Sequence, residues 1–326
     1  MNSSSGIWTE FEALSNTEDA NATSAIRCGS EHQHLLLKGR FGEPILLISC
    51  ETRQNPRPGI SLKHISMAFD TTYEVMPPET NAIKRLNFCR ISCSPESYTL
   101  HKYFVEVLVA VANSQPIKLS ETDVDELISS LLELFRKFSF APTKTVAGLW
   151  GELLVMFSAT NPGVFIDAWH LAVSDTFDFT FSDCRLEVKA TERSVREHDV
   201  SLSQVRGGRS GDALVSVRLS RSAAGDTILD LTRRVAALVN QQQQVKLWQL
   251  VLETLGQGAD ASGEQSFDVQ QAVRDLLFFS SSSIPAPVVS NSDTGLISDV
   301  RYRVNLSALP VVNHIDGAPY LKRVRR

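Results

Sequence analysis

The sequence predicts an α/β protein, α+β overall, and three observations predict it. Short apolar runs separated by turn residues fill residues 34–92, the pattern of a small antiparallel sheet. Apolar residues recur at helical spacing between 100 and 138. From 143 to 222 the period alternates between 3.6 and 2, reading helix, three strands, helix, strand. Three regions follow: a β-rich N-terminal domain with one helix over 1–117, an αβββαβ core over 118–222, and a mixed α/β C-terminal region over 223–326.

Residues 1–30 are rich in Ser, Asn and Thr, and predict a loosely ordered start with one helix near Ile7–Leu14. The strands of the first sheet are His34–Lys38, Pro44–Ser49, Ile65–Phe69 and Asn87–Ser92, with turns at 54–59 and Pro77-Pro78. Ser94-Pro95 supplies a cap and a first-turn proline for a helix whose buried stripe is Leu100, Phe104, Val107, Leu108 and Val111. Pro116 ends it. His32, His34, His64 and His101 are dispersed and read as structural or exposed groups.

A second helix opens at Ser120, with acidic residues in its first turn and a stripe through Val124, Leu127, Ile128, Leu131, Leu134, Phe135 and Phe138. A third runs from Thr143 to Ser158. Val164–Leu171 reads as a strand, Asp178–Lys189 as a hairpin, His198–Val205 as a short helix, the 207–211 glycine-rich stretch as a turn, and Ala213–Leu219 as a further strand. Beyond them, Asp226 is placed to cap a helix carrying Ile228, Leu231, Val235 and Leu238. Gln241–Gln244 reads as a helix end, Leu247–Leu255 as an apolar run of either period, and Phe267–Phe279 as an amphipathic segment. Ser280–Pro287 reads as a loop, and Tyr302, Val304 and Leu306 alternate as a late strand.

Composition excludes several classes. The 326 residues are 43% hydrophobic and 21% charged, ordinary for a soluble domain. No run of eighteen apolar residues marks a membrane span, and the N-terminus lacks the basic-then-apolar pattern of a signal peptide. Five scattered cysteines argue against a disulfide framework, and Cys89 with Cys93 has no second pair to build a zinc site. A reducing cytoplasm fits. The net charge of -5 opposes indiscriminate binding of nucleic acid, yet Arg185–Arg221 is locally basic and includes Arg193, Arg196, Arg206, Arg209 and Arg218.

The chemistry concentrates in Asp178–Lys189. Side chains two apart on a strand share a face, so Glu187 and Lys189 point the same way, and the hairpin partner brings Asp178 beside Glu187. Two carboxylates and an ammonium around one point suit a hard divalent cation and an attacking water. A plainer reading is an exposed cross-strand ion pair of little energetic weight. Asp175 and Asp183 are rival aspartates, one before the strand and one in the turn. Glu152 lies on the helical face of Leu149 and Met156, where an unpartnered carboxylate is costly, so it sits at a rim or faces a positive group. Gly148 and Gly151 beside it allow a sheet to approach closely. Trp150 and Trp169 read as packing residues.

Four segments carry a resemblance: Gly148-Leu149-Trp150-Gly151-Glu152-Leu153, Asp178-Phe179-Thr180-Phe181, Glu187-Val188-Lys189-Ala190-Thr191 and His198-Asp199-Val200-Ser201-Leu202-Ser203-Gln204. In order and spacing they resemble the PD-(D/E)XK nuclease superfamily, and more closely a bacterial family of that type found in restriction-modification or phage-defence gene clusters. Tyr302–Leu306 is similar to that family's last strand. Phe177 stands where the superfamily name puts proline. The resemblance implies a restriction-endonuclease-like core and an endonuclease that hydrolyses DNA phosphodiester bonds with Mg2+, or Mn2+ in its place. Asp178, Glu187 and the Val188 carbonyl would hold the metal, Glu152 would complete its shell through water or hold a second ion, and Lys189 would orient the water. Gln204 and Ser201 would touch the DNA backbone or steady Lys189. His198, Arg193, Arg196 and Arg206 are candidates for phosphate contacts. It also implies operon partners such as an ATPase or a methyltransferase, and is compatible with a homo-oligomer. The alternatives are a catalytically weak nuclease-fold module that binds DNA or a partner, and a nuclease acting on RNA or only inside a complex.

Overall fold

A computed structural model of the chain describes residues 6–17, 24–29, 31, 33–51, 58–76, 83–116, 118–138, 142–169, 176–206, 209–256, 265–289, 297 and 299–312. The chain divides into two compact units, one ending at Ala141 and the other beginning at Pro142. Among the described residues no helix is long and apolar enough to cross a membrane.

Among its described residues the first unit has a six-stranded antiparallel sheet and three α-helices. Its strands are β1 (Ile26–Cys28), β2 (His34–Lys38), β3 (Pro44–Ser49), β4 (Ile60–Ser61), β5 (Ile65–Val75) and β6 (Lys84–Cys93), in spatial order β1-β2-β3-β6-β5-β4. The four expected strands all form, and two run further than their apolar cores. β5 and β6 make a long hairpin, kinked where the register slips between Ala68 and Thr71, with Asp70 at φ 52. The helices are α1 (Ile7–Glu12), α2 (His101–Ser114) and α3 (Glu121–Phe138). Phe104 of α2 meets Phe135 of α3 edge to face, with ring centroids 4.9 Å apart. α3, read from sequence as the start of the central region, belongs to this unit. The helix expected to open at Ser94-Pro95 begins as a 3-10 turn over Pro95–Leu100, and Ser94 makes no side-chain cap bond. His32 lies outside the described residues. The other three histidines of this region are buried and held by hydrogen bonds, His101 to the Ser94 carbonyl at 3.0 Å and His64 to Ser97 at 2.9 Å.

The second unit is built on a four-stranded sheet ordered β12-β10-β8-β7, from β7 (Phe179–Thr180), β8 (Arg185–Thr191), β10 (Ala213–Arg218) and β12 (Leu277–Ser280). β8 and β10 run parallel, and the outer pairings are antiparallel. A separate two-stranded sheet joins β9 (Glu197–Ser201) to β13 (Arg301–Asn305), and β11 (Arg221–Asp226) lies outside both. The helices are α4 (Val146–Ser158), α5 (Pro162–Ala168), α6 (Leu202–Val205), α7 (Ile228–Ala236), α8 (Gln241–Leu255) and α9 (Val269–Arg274). α4 lies on the sheet at Gly151, where an added Cβ would stand 3.2 Å from Ala190 Cβ and 3.5 Å from Val188 Cγ1. An apolar cluster that includes Val200, Val205, Leu214, Phe279, Val304 and Leu306 packs the β9–β13 pair against the sheet.

Several expected elements change type. Val164–Leu171 is α5 as far as Ala168, with Leu171 outside the described residues. Pro162 fixes the first-turn dihedral and lacks the N–H a helix start would orphan, and Phe165, Ile166 and Trp169 keep helical spacing. Among its described residues Trp169 alone keeps a strand's role, as a single bridge to Phe179. The helix expected over His198–Val205 is β9 followed by the one-turn α6. His198 and Val200 are buried while Asp199 between them is exposed, which is period two. Thr227, not Asp226, caps α7. Gln241–Gln244 opens α8, which also takes up Leu247–Leu255. The amphipathic segment from Phe267 to Phe279 divides between α9 and β12.

Two outcomes test this packing. Gly151→Leu forces a side chain between α4 and β8 and should destabilise the second unit by about 1–3 kcal/mol in urea unfolding. A change under half that size would show that the interface has room. The second concerns His34, whose Nδ1 accepts the Ser49 N–H at 3.1 Å and whose pKa burial lowers to about 4, against a hydrogen bond to the Pro116 carbonyl. A histidine with a depressed folded pKa favours the native state above its ordinary value of 6.5, and that contribution is lost as pH falls towards 4. The stability advantage of wild type over His34→Gln should therefore be full at pH 7.5 and shrink steadily by pH 4.5. A difference independent of pH would remove His34 from the cause.

Candidate active site

The local sequence dictates where each acid lies. β7 and β8 pair Phe179 with Leu186 and Thr180 with Arg185, so the residue before β7, Asp178, falls beside Glu187 and Val188. Asp178 Oδ2 accepts the Val188 N–H at 2.8 Å. The turn between the strands closes with the Phe181 N–H on the Cys184 carbonyl at 2.9 Å. Buried Asp212 pins its far side by accepting the Arg185 and Arg209 backbone N–H groups at 2.8 Å each and the Arg185 guanidinium at 2.6 Å. Glu187 and Lys189, two apart on β8, are joined at 2.7 Å.

Glu152 arrives from α4. Thr145 caps that helix by accepting the Gly148 N–H at 3.1 Å, which sets the helix phase and turns Glu152 inward until it is 2% exposed. Both carboxylate oxygens have partners. Oε2 accepts the Trp169 indole N–H at 2.6 Å, and Oε1 meets Lys144 Nζ at 2.6 Å. The same ammonium lies 2.5 Å from Asp178 Oδ1. Lys144 therefore holds the helical glutamate and the hairpin aspartate together.

Electrostatics follow from this crowding. Burial first, then the charge of Asp178, push Glu152 up to about 8, against the pull of Lys144 and the Trp169 hydrogen bond. Burial and then Asp178 push Glu187 up to about 7, against Lys189. Burial opposes the charge on Lys144, but the two carboxylates outweigh it and hold the ammonium above its ordinary value. The donors are carboxylate and carbonyl oxygens, the set a hard cation prefers, and Lys144 marks a cation position bridged by Glu152 and Asp178. Among the described residues no three His, Cys, Asp or Glu side chains are drawn together closely enough to hold an ion as they stand. The acids are instead engaged by the two lysines. In donor chemistry the site fits a divalent ion, provided that Lys144 gives up its place.

The remaining predicted residues spread out. Gln204 closes a capping box with Ser201 on α6 and donates to the Thr176 carbonyl at 3.0 Å, tying α6 to the segment that delivers Asp178. Ser201 Oγ lies 2.9 Å from Ser203 Oγ. His198 and Arg196 are both buried. His198 Nε2 lies 2.8 Å from Ser216 Oγ, and Arg196 bonds the Ser216 side chain and carbonyl as well as the Asp275 carbonyl. Burial, then Lys189 and Arg196, lower the His198 pKa to about 4. Arg193, beside Glu197 at 3.6 Å, and Arg206, on the Ala286 carbonyl at 3.2 Å, reach the surface. Asp183 stays in the hairpin turn, and Asp175 lies outside the described residues. Sequence reading missed Lys144 and the Trp169 hydrogen bond. One signal was present: a lysine just before a helix faces the positive end of the helix dipole, and so needs a negative partner.

Fold and site together define a nuclease-like α/β arrangement, with a helical glutamate and a D…ExK hairpin. A family model described as "Putative PD-(D/E)XK family member" matches residues 7–307, and the chain belongs to that family. No curated protein and no solved structure matches the chain.

The Trp169 bond is testable apart from any activity. Trp169→Phe keeps the apolar ring but leaves a buried Glu152 oxygen without its donor, and should cost about 1–3 kcal/mol of stability. In a Glu152→Gln background the same substitution should cost measurably less. Equal costs in the two backgrounds would show that the indole contributes through packing alone.

Proposed function

We propose that the chain is a Mg2+-dependent endonuclease that hydrolyses DNA phosphodiester bonds, working in the cytoplasm within a restriction-modification or phage-defence system. One observation carries the reading: Glu152 and Asp178, from separate elements, share one cation position, with the Glu187-Val188-Lys189 strand beside Asp178.

Asp178, Glu152, Glu187 and the Val188 carbonyl would hold the metal. A bound Mg2+ supplies a Lewis acid for the phosphate and a more acidic water. The residues of the chain do the positioning. Asp178 stays oriented by the Val188 N–H, and Glu152 by the Trp169 indole. Lys189 presents its ammonium on the face of Glu187, where it orients the attacking water and stabilises the charge that develops on the phosphate oxygens. Arg193 and Arg206 are the predicted arginines left at the surface for DNA phosphates, with Gln204 and Ser201 steadying the hairpin from α6. An ATPase or methyltransferase encoded alongside would supply target choice.

Plasmid nicking tests the proposal. Wild type should convert supercoiled DNA to open circles with Mg2+ and not with EDTA, and Asp178→Asn and Lys189→Ala should each lose about 100-fold or more. Binding of DNA without cutting by all three proteins would favour the non-cleaving module. Cutting by Lys189→Ala at the wild-type rate would remove that lysine from the chemistry.

A further inference from the structure

The lysine of the D…ExK hairpin is Lys189. Lys144 lies outside that motif, in the turn before α4, yet it makes the shortest contacts to the acidic pair. Its ammonium is 2.6 Å from Glu152 and 2.5 Å from Asp178, and its side chain is 21% exposed, so it reaches the site from the surface side. Two features distinguish this from an ordinary surface ion pair. Glu152 is almost wholly buried, and an ionised carboxylate there needs a cation within contact distance. The same ammonium also closes on Asp178 before β7, so one cation is shared by carboxylates from two separate elements.

We infer that Lys144 is a built-in placeholder, which occupies the cation position between Glu152 and Asp178 in the metal-free protein and must swing out for a divalent ion to bind. The inference rests on the metal-dependent reading above. Its physical basis is exclusion. An ammonium nitrogen at these distances fills the space where a divalent ion would contact both oxygens at about 2.0–2.4 Å, so the two occupancies are alternatives. The lysine stem is flexible and starts outside the helix, and withdrawal towards solvent breaks two ion pairs without disturbing α4 or the hairpin. The device keeps the acids in register while the protein waits for metal. It also sets a threshold: metal affinity is lowered by whatever it takes to displace the lysine.

The test compares Mn2+ binding, by calorimetry and by the loss of the free-ion spin-resonance signal, in wild type, Lys144→Gln and Lys144→Gln/Asp178→Asn. Lys144→Gln should bind Mn2+ at least tenfold more tightly than wild type, melt at lower temperature in EDTA, and regain stability with metal. The double variant should lose binding. Equal or weaker binding by Lys144→Gln would overturn the placeholder while leaving the metal site standing. Absence of binding by both wild type and Lys144→Gln would overturn the placeholder and the metal-dependent function together. A measurement on the wild-type protein covers the case in which the variant fails to fold. Mn2+ should increase acetylation of Lys144 by an amine-reactive ester, read by peptide mass spectrometry, because displacement frees the amine. Unchanged or reduced labelling would count against displacement.

Discussion

A carboxylate taken out of water must find a positive charge or give up its own, and in this chain that demand falls hardest on Glu152. It sits on the apolar face of α4 among Leu149, Leu153 and Met156, all fully buried. Its solution is to be shared. One oxygen takes the Trp169 indole N–H and the other takes Lys144, which also serves Asp178. Trp169 in turn bridges to Phe179 on β7, and Asp178 precedes that strand. The buried acid thus links the start of α4, the end of α5 and the edge of the sheet. Any of these elements, moved by a residue, would leave a charge inside the protein without a partner.

The sheet is arranged so that this link can be made. β8 pairs antiparallel with β7 and parallel with β10, so it is supported on both edges while its residues alternate between two jobs. Val188 and Ala190 turn towards α4 and meet Gly151, where no side chain intervenes. Glu187 and Lys189 alternate with them and pair with each other at 2.7 Å. Ser216, abreast of Lys189 on β10, receives His198 and Arg196, so a polar layer continues from the lysine into the β9–β13 pair. Such a layer is stable in the interior because each member has a partner.

What could be read from sequence follows which forces are local. The hairpin and Ala213–Arg218 were legible because alternation and β-branched residues act over a few positions, and Phe179, Leu186 and Val188 carry both signals. Glu152 was legible as an anomaly, an acid on an apolar stripe, but its partners were not, because Lys144 and Trp169 reach it through the fold rather than through spacing. Val164–Ala168 was misread because β-branched and aromatic residues mimic a strand, and the proline at its first turn decided the matter. β9 was misread because its pairing partner, Arg301–Asn305, lies about a hundred residues away, and a polar strand declares itself only when the partner is known. Arg196 and His198 looked like surface cations for the same reason. Their burial depends on Ser216 and Asp275, which no local pattern connects to them.

Charge sets the last constraint on the proposed function. The arginines that give the middle of the sequence its basic character are largely committed elsewhere. Arg185 pairs with Asp212, Arg218 with Asp275 and Arg221 with Glu192, while Arg196 is inside. A protein of net charge -5 with its arginines spent on its own acids presents little standing attraction to a polyanion. Around the site, three carboxylates face two ammoniums, so with all five ionised the local balance is also negative. In that fully ionised state a phosphodiester would be repelled. On the proposed function, a divalent charge added at the acids would offset that balance. The pair of carboxylates that ties α4 to the hairpin is thus also the pair on which the proposed function turns, and under that proposal their charge would favour metal before nucleic acid.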